Sequence, residues 1–345
     1  MGIEILNGGM LTTIQDAGRY GYQQFGVTVS GSMDVYHHNL ANILVGNDPG
    51  CDVLEATILP PSLHFTQDNI FALCGAPVSG TLAGEPIEMN RAYLAHAGDT
   101  LLLTAATCGC RTYLAFAGGL DVPAVMGSKS TFLKGRIGGL DGRALQKGDC
   151  IGFCAPRTTL PNLPFRTIHQ SMIHDFAPEQ TIRVIPGPQI DAFSGEGVST
   201  FLNTTYTVTQ NADCMGYRLD GARIEHSPNQ DGNIISDAIT KGAIQVPGHG
   251  QPIIMMADRQ TTGGYAKIGH VISVDLPRVA QLRPGDSIRF ALCDVQEAQS
   301  YVNQRTQKLR TLRRVLDQET ILSSREYRVL SAFGERTARI ERIAD

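Results

Sequence analysis

The 345-residue chain has no tryptophan and little charge, with Asp, Glu, Lys and Arg making up 18% of it. A net charge of -4, with the 29 Lys and Arg scattered until the C-terminus, excludes the basic footprint of a nucleic-acid binder. No apolar run reaches the roughly eighteen residues that cross a bilayer, so no membrane association is expected. Met1-Gly2-Ile3-Glu4-Ile5-Leu6 lacks a basic n-region, and Leu6 stands where a myristoylation signal has Ser or Thr. A cytoplasmic protein is expected. There is no C-x-x-C and no H-E-x-x-H, so no metal site is expected. Eight cysteines in so long a chain do not make a disulfide framework and read as reduced thiols. On a strand, Cys108 and Cys110 would share a face. No G-x-G-x-x-G occurs. Gly127-Ser128-Lys129-Ser130 resembles a phosphate loop but has Ser where that loop needs Gly before Lys, which leaves a structural turn as the reading.

What is present is a globular composition, 42% hydrophobic, in a chain too long for one ordinary core. Most of it reads as short apolar strands between Gly, Pro, Asn and Asp. One phrase, L-x-x-G-D-x-I-x-F, occurs as Leu145 to Phe153 and again as Leu282 to Phe290, with a weaker echo at Ala97-Gly98-Asp99-Thr100-Leu101. A Gly-Asp turn feeding a half-buried strand near the end of each half suggests a duplicated β domain. The Pro-rich stretch from Ala155 to Pro164 reads as a linker. The expected organisation is a first domain at 1–155, a linker at 156–179, a second domain at 180–292 and a helical extension at 293–345. One early helix is expected over Met33 to Val45, with Ser32 as N-cap and Gly46 as C-cap. The helix after Asp294 has one apolar stripe, suited to packing on the body or to docking a partner.

Four clusters could carry chemistry. In the first, Gly18, Gly21, Gly26 and Gly31 imply a loop of unusual backbone angles around Asp16, Arg19, Ser30 and Asp34. Arg19 there suits a carboxylate or phosphate, and Asp16 could hold Arg19 or act as a base; equally, an Asp–Arg pair could simply pin the loop. In the second, Glu55 interrupts the apolar run Val53–Ile58, as a site residue or on an edge strand facing water. The third is the Gly-rich stretch from Tyr113 to Thr131. The fourth runs from Ile244 to Tyr265. There Gln245, Gln251, Asp258, Gln260, Thr261 and Thr262 sit in a mostly apolar, turn-forming segment, as an internal network or as a site for an amide-like ligand. His249 lies in a Gly-rich turn, and no serine sits in a nucleophile elbow, so no triad is expected.

Taken in order, Thr13-Ile14-Gln15-Asp16-Ala17-Gly18-Arg19, Ser30-Gly31-Ser32-Met33-Asp34, Leu44-Val45-Gly46-Asn47, Leu54-Glu55-Ala56-Thr57, Tyr113 to Ser128 and Gln245 to Tyr265 resemble the family of the 5-oxoprolinase C subunit. This family is also called KipA or allophanate hydrolase subunit 2. It is related to the carboxyltransferase domain of biotin-dependent urea carboxylase. The resemblance covers residues 3 to 292. It implies a mainly β fold of two cyclophilin-like β-barrel domains with a few helices. It also implies work in a hetero-oligomer with a KipI-like and a LamB/YcsF-like subunit, opening 5-oxoproline to glutamate with ATP. Further copies of this chain could join. The site it suggests has Asp16, Arg19 and Asp258 as catalytic residues. Ser30, Asp34, Glu55, Gln245, Gln251, Thr261 and Tyr265 would line the substrate. The rival expectations are a biotin-dependent carboxyltransferase component acting on urea or a similar amide, which here lacks a Met-Lys-Met acceptor, and a regulatory antagonist of a KipI-like kinase inhibitor.

Overall fold

The computed structural model describes residues 2–318, and beyond them only the backbone of the strands Ile321–Ser331 and Gly334–Ile343. The chain is mainly β. Its first half builds two sheets. One carries the strands Leu120–Asp121, Cys150–Phe153, Gly2–Asn7, Ser62–Phe65, Thr100–Leu103, Gly80–Leu82 and Glu85–Ile87, in that spatial order. The other is ordered Leu11–Gln15, Val53–Thr57, Arg111–Phe116, Asn69–Gly75 and Ala92–Ala95. The second half closes into a seven-stranded barrel, completed by the parallel pairing of Glu179–Pro186 with Ser287–Leu292. Among the described residues this half alone closes its ring of hydrogen bonds, and the first remains a pair of sheets.

Burial patterns follow from what covers each strand. Glu179–Pro186 alternates exposed and buried, as a one-sided barrel strand should. Asn69–Gly75 and Arg111–Phe116 are buried throughout, because both faces are covered. Phe71, Leu73, Leu114 and Phe116 point into the core between the two sheets. Ile70, Ala72, Cys74, Tyr113 and Ala115 pack on Leu40, Ile43 and Leu44 of helix α1 (Val35–Leu44). That helix is capped by Asp34, not by the expected Ser32: the Asp34 carboxylate accepts from the backbone N–H of Tyr36 and His37. Ser32 instead bonds His38 Nδ1 at 2.6 Å.

The Gly-Asp phrase is one turn built three times. Asp99, Asp149 and Asp286 each accept from the backbone N–H three residues back, at 2.8, 2.7 and 2.7 Å. Gly98, Gly148 and Gly285 precede them with φ of +102°, +89° and +97°, a conformation that favours glycine. The repeat is therefore structural, and the echo at Asp99 belongs to it in full.

The two halves and the C-terminal helix are sewn together by buried groups. Met33, from the first half, sits in the core of the barrel. Two further helices belong to the second half, α2 (Gly195–Asn203) and α3 (Leu276–Gln281). Gln281, at the end of α3, reaches back to the first half. Its amide oxygen accepts from the N–H of Cys110 and Arg111, and its nitrogen donates to Asp34 Oδ2 at 2.8 Å. Helix α4 (Val295–Asp317) starts with a capping box of Asp294 and Glu297. Tyr301 and Val302 pack on the second half, whereas Leu309, Leu312 and Leu316 pack on the first. Its apolar stripe is thus largely used within the chain. The fully buried Arg166, in the stretch expected to be a linker, donates to the carbonyls of Ile43, Leu44 and Leu316 and to Asp317, closing the ends of α1 and α4 together. The extension expected to be helical to 345 is helical only to Asp317; two antiparallel strands follow. Cys108 and Cys110 precede the strand instead of lying on it, and one is exposed while the other is buried.

Candidate active site between the two halves

The segment 26–34 leaves the first half and lies against the second. Thr28 donates to Arg259 O at 2.8 Å, and Lys241 Nζ donates to the carbonyls of Ser32 and Met33 at 2.9 and 3.1 Å. Within it, Ser30 holds φ of +55°, which is strained for a residue other than glycine. The next residue, Gly31, has φ of +86° and no room for a Cβ against Ala17 and Gly18. A polar site forms where this segment crosses the barrel.

Glu55 is at its base. Its strand is interior, paired with Leu11–Gln15 on one side and Arg111–Phe116 on the other, so the edge-strand reading fails. The carboxylate accepts from Met33 N–H and from the Tyr113 hydroxyl, both at 2.8 Å, and Arg111 Nε lies 3.8 Å away. Burial raises its pKa, with Arg111 pulling against that rise. Lys241 faces the same region, and burial pushes its ammonium down to about 8, opposed by Glu55. Only two of its three N–H directions have acceptors among the described residues.

Asp258 is a second carboxyl raised towards neutrality. Burial pushes it up to about 6; the Ser30 hydroxyl offsets part of this and the charge of Glu55 adds to it. A carboxyl with that affinity can accept a proton near pH 7 and release it again. Arg19 connects it to Asp16, feeling the charge of both. Its guanidinium is fully buried. Nε and Nη2 donate to the carbonyls of Val125 and Ser130 at 2.9 and 2.8 Å, and Nη1 has no partner among the described residues. The fork expected to clasp a ligand is therefore occupied by backbone, leaving one nitrogen free.

Asp16 is occupied as well. It accepts from the Ser128 and Ser130 hydroxyls at 2.7 and 2.6 Å and from the N–H of Gly18 and Lys129 at 2.8 and 2.6 Å. Burial alone would raise its pKa, but these donors outweigh it and hold the carboxyl below its usual range. The stretch that mimics a phosphate loop is thus an anion cradle whose anion is Asp16. Its donors are spent on that carboxylate, so it does not fit the phosphates of ATP.

Asp34 is buried and saturated by α1, His37 Nδ1 at 2.6 Å and Gln281. Burial opposes its ionisation, yet the His37 ring and these donors keep it well below the carboxylate range. Four expected residues make other contacts. Gln245 is buried on a barrel strand, and among the described residues its side chain reaches only Tyr265 O, at 3.4 Å. Gln251 pins Gly221 through both its amide atoms, at the opposite end of the strand Ile253–Met255 from Asp258. Thr261 and Tyr265 belong to the ribbon formed with Asn233–Ala238. Conversely, Lys241 and Arg111 stand at the site without having been among the expected residues, and Tyr113, expected only as the start of the Gly-rich stretch, donates to Glu55. The available signal is Arg111 opening an otherwise apolar strand, as Glu55 interrupts its neighbour. Among the described residues no group of His, Cys, Asp or Glu is arranged to hold a metal ion, and no helix is long and apolar enough to cross a membrane.

A strained loop from one β half, held against Lys241 and Arg259 of the other, with Glu55 beneath it, defines a two-part β protein with polar groups at the seam. The family model for the carboxyltransferase domain, subdomains A and B, matches residues 25–292, and the chain belongs to that family. It is 36% identical to the C subunit of 5-oxoprolinase from Escherichia coli, over 86% of this chain and 93% of that protein. It is 34% identical to the C subunit of 5-oxoprolinase from Haemophilus influenzae, over 92% and 99% respectively. The crystal structure of Kluyveromyces lactis urea amidolyase superposes with a TM-score of 0.83 at 32% identity, covering 90% of this chain. This chain spans 20% of that much longer one.

Proposed function

We propose that this chain is a subunit of an ATP-dependent 5-oxoprolinase complex that opens 5-oxoproline to glutamate, with a KipI-like and a LamB/YcsF-like subunit, in the cytoplasm. The observation that carries this reading is length. The 5-oxoprolinase relatives match from end to end, at 93% and 99% of their own chains. Urea amidolyases match over 18% and 19% of theirs.

The site supplies a chemistry for it. Asp258 takes a proton from the water that attacks the ring carbonyl carbon and returns it to the ring nitrogen as the C–N bond breaks. Lys241 and the free Nη1 of Arg19 face negative charge as it develops on the carbonyl oxygen. Glu55, Tyr113 and Arg111 hold segment 26–34 in place, and Ser30 contacts the substrate amide. ATP supplies activation of the lactam in the complex; no residue of this chain is assigned to it. The test is reconstitution of the three subunits with 5-oxoproline and ATP, reading glutamate release. Release that needs this chain and is lost in Asp258→Asn supports the reading. Release undiminished without this chain overturns it and leaves the regulatory role toward a KipI-like protein.

A second reading, a component of a biotin-dependent carboxyltransferase acting on urea or a similar amide, is favoured by the family itself and by 33% identity to urea amidolyases. The chain carries no Met-Lys-Met, so this reading requires a separate biotinylated carrier. Streptavidin blotting of co-purified partners decides it.

A further inference from the structure

A second polar cavity, of about 270 Å³, opens between segment 171–175, the strand and helix around Asp275, and helix α4. It is rich in cations. Arg183 is neutralised, since Asp275 accepts from its Nε and Nη2 at 2.9 and 2.6 Å. Three other cations have no carboxylate partner among the described residues. Arg278 makes one long bond, 3.4 Å, to Gln180. The half-buried Arg305 donates to Ser273 O at 3.0 Å. Lys308 has no hydrogen bond or ion pair among the described residues. Asp175 is the one further acid on the wall, and it accepts from Ala177 N–H at 3.0 Å. His174, also on the wall, stacks on Tyr36 and leaves Nδ1 buried without a partner.

Three like charges gathered in one concavity repel one another unless an anion joins them. Arg and Lys in this setting match an oxyanion through charge-assisted hydrogen bonds. The cavity is below the roughly 300–1,000 Å³ of pockets for drug-sized ligands. Its aromatic faces are already covered, Tyr36 by His174 and Tyr301 by Arg183 at 4.0 Å.

We infer that this cavity binds a small dianionic oxyanion, a phosphate group either free or as a simple ester, held by Arg278, Arg305 and Lys308 with His174 as a hydrogen-bond partner. The site is separate from the seam around Asp258 and stands whether or not the oxoprolinase reading does. His37 links the two regions: its Nδ1 bonds Asp34, its ring meets His174 edge-on at 5.2 Å, and its Nε2 is also buried without a partner.

The experiment is isothermal titration calorimetry on the full chain at fixed ionic strength, with inorganic phosphate, glycerol phosphate and succinate. Saturable binding of one or both phosphate compounds is expected. It should weaken about tenfold or more in Arg278→Gln and in Lys308→Gln, each having lost a charge-assisted bond. Both changes are at accessible side chains, and an unchanged melting temperature verifies the fold. Tighter binding of inorganic phosphate identifies the free anion, and tighter binding of the ester a phosphorylated metabolite. Absence of saturable binding to both, equal binding of succinate, or wild-type affinity in both variants overturns the inference.

Discussion

Asp16, in the loop of the first half, and Asp258, in the loop of the second, have the same side chain and share one neighbour, Arg19. Their environments drive them apart. Asp16 accepts four hydrogen bonds, two from hydroxyls and two from backbone N–H, and its charge is locked in. Asp258 is half-buried near Ser30 with Glu55 adding negative potential, and desolvation pushes its pKa up to about 6. Burial pushes both upward; the number of donors decides the outcome. One loop uses an aspartate to build the site's frame, and the other keeps an aspartate ready for protons.

The comparison breaks most visibly in turnover. On the proposed reading, in which Asp258 is the general base, Asp258→Asn should lower glutamate release by the reconstituted complex by about a hundredfold or more. Its unfolding midpoint in urea at pH 4 should stay near wild type. Asp16→Ala should do the opposite first, destabilising the chain by about 3 kcal/mol by leaving two hydroxyls and two N–H groups short of an acceptor. Equilibrium urea unfolding measures that; unchanged stability would remove Asp16 from the frame.

A titration of stability sharpens the contrast in sign. Asp258, with its folded pKa raised from 3.8 to about 6, contributes stability that is complete below about pH 4 and is lost as pH rises through 6. Asp16, held low, contributes stability above its unfolded pKa of 3.8, which is lost as pH falls below that value. Against wild type, Asp258→Asn should therefore gain about 1–2 kcal/mol in relative stability between pH 4 and 6, after allowance for solvent screening. Asp16→Asn should flatten only the acid limb. Denaturant titrations from pH 3 to 7 read both; parallel curves for the two variants would erase the distinction. The smallest effect is expected at Gln251. Its bonds to Gly221 are exposed, so Gln251→Ala should cost about 0.5–1 kcal/mol and leave turnover unchanged. A large loss of turnover would place it in the site after all.

Much of the frame is legible in the residues. The Gly-Asp phrase recurs because a tight turn needs a glycine at positive φ and an acid to accept the N–H three residues back. The glycines around Arg19 do mark unusual backbone, and Ser30 adds a strained residue to them. The assignment of polar residues to one site is less legible. Gln245 and Gln251 lie close in sequence and flank the same turn, where Gln245 pairs with Ile253, yet one bonds Tyr265 and the other Gly221. Glu55 reads equally well as an edge residue because nothing local shows that Tyr113 and Met33 supply donors to it. Lys241 carries no local signal at all, because its pKa depends on burial against a loop more than 200 residues away.

The amino-acid order by itself determined the β character, the duplicated turns, the first helix and the loop that carries Arg19. These depend on residues within a few positions of one another, whose backbone preferences and period-two burial act locally. Only the tertiary structure decided which carboxyl is held ionised and which is raised towards neutrality, and that Lys241 faces Glu55. Charge state follows from desolvation and from donors brought in by distant segments, and those meet only when the two halves close on Met33.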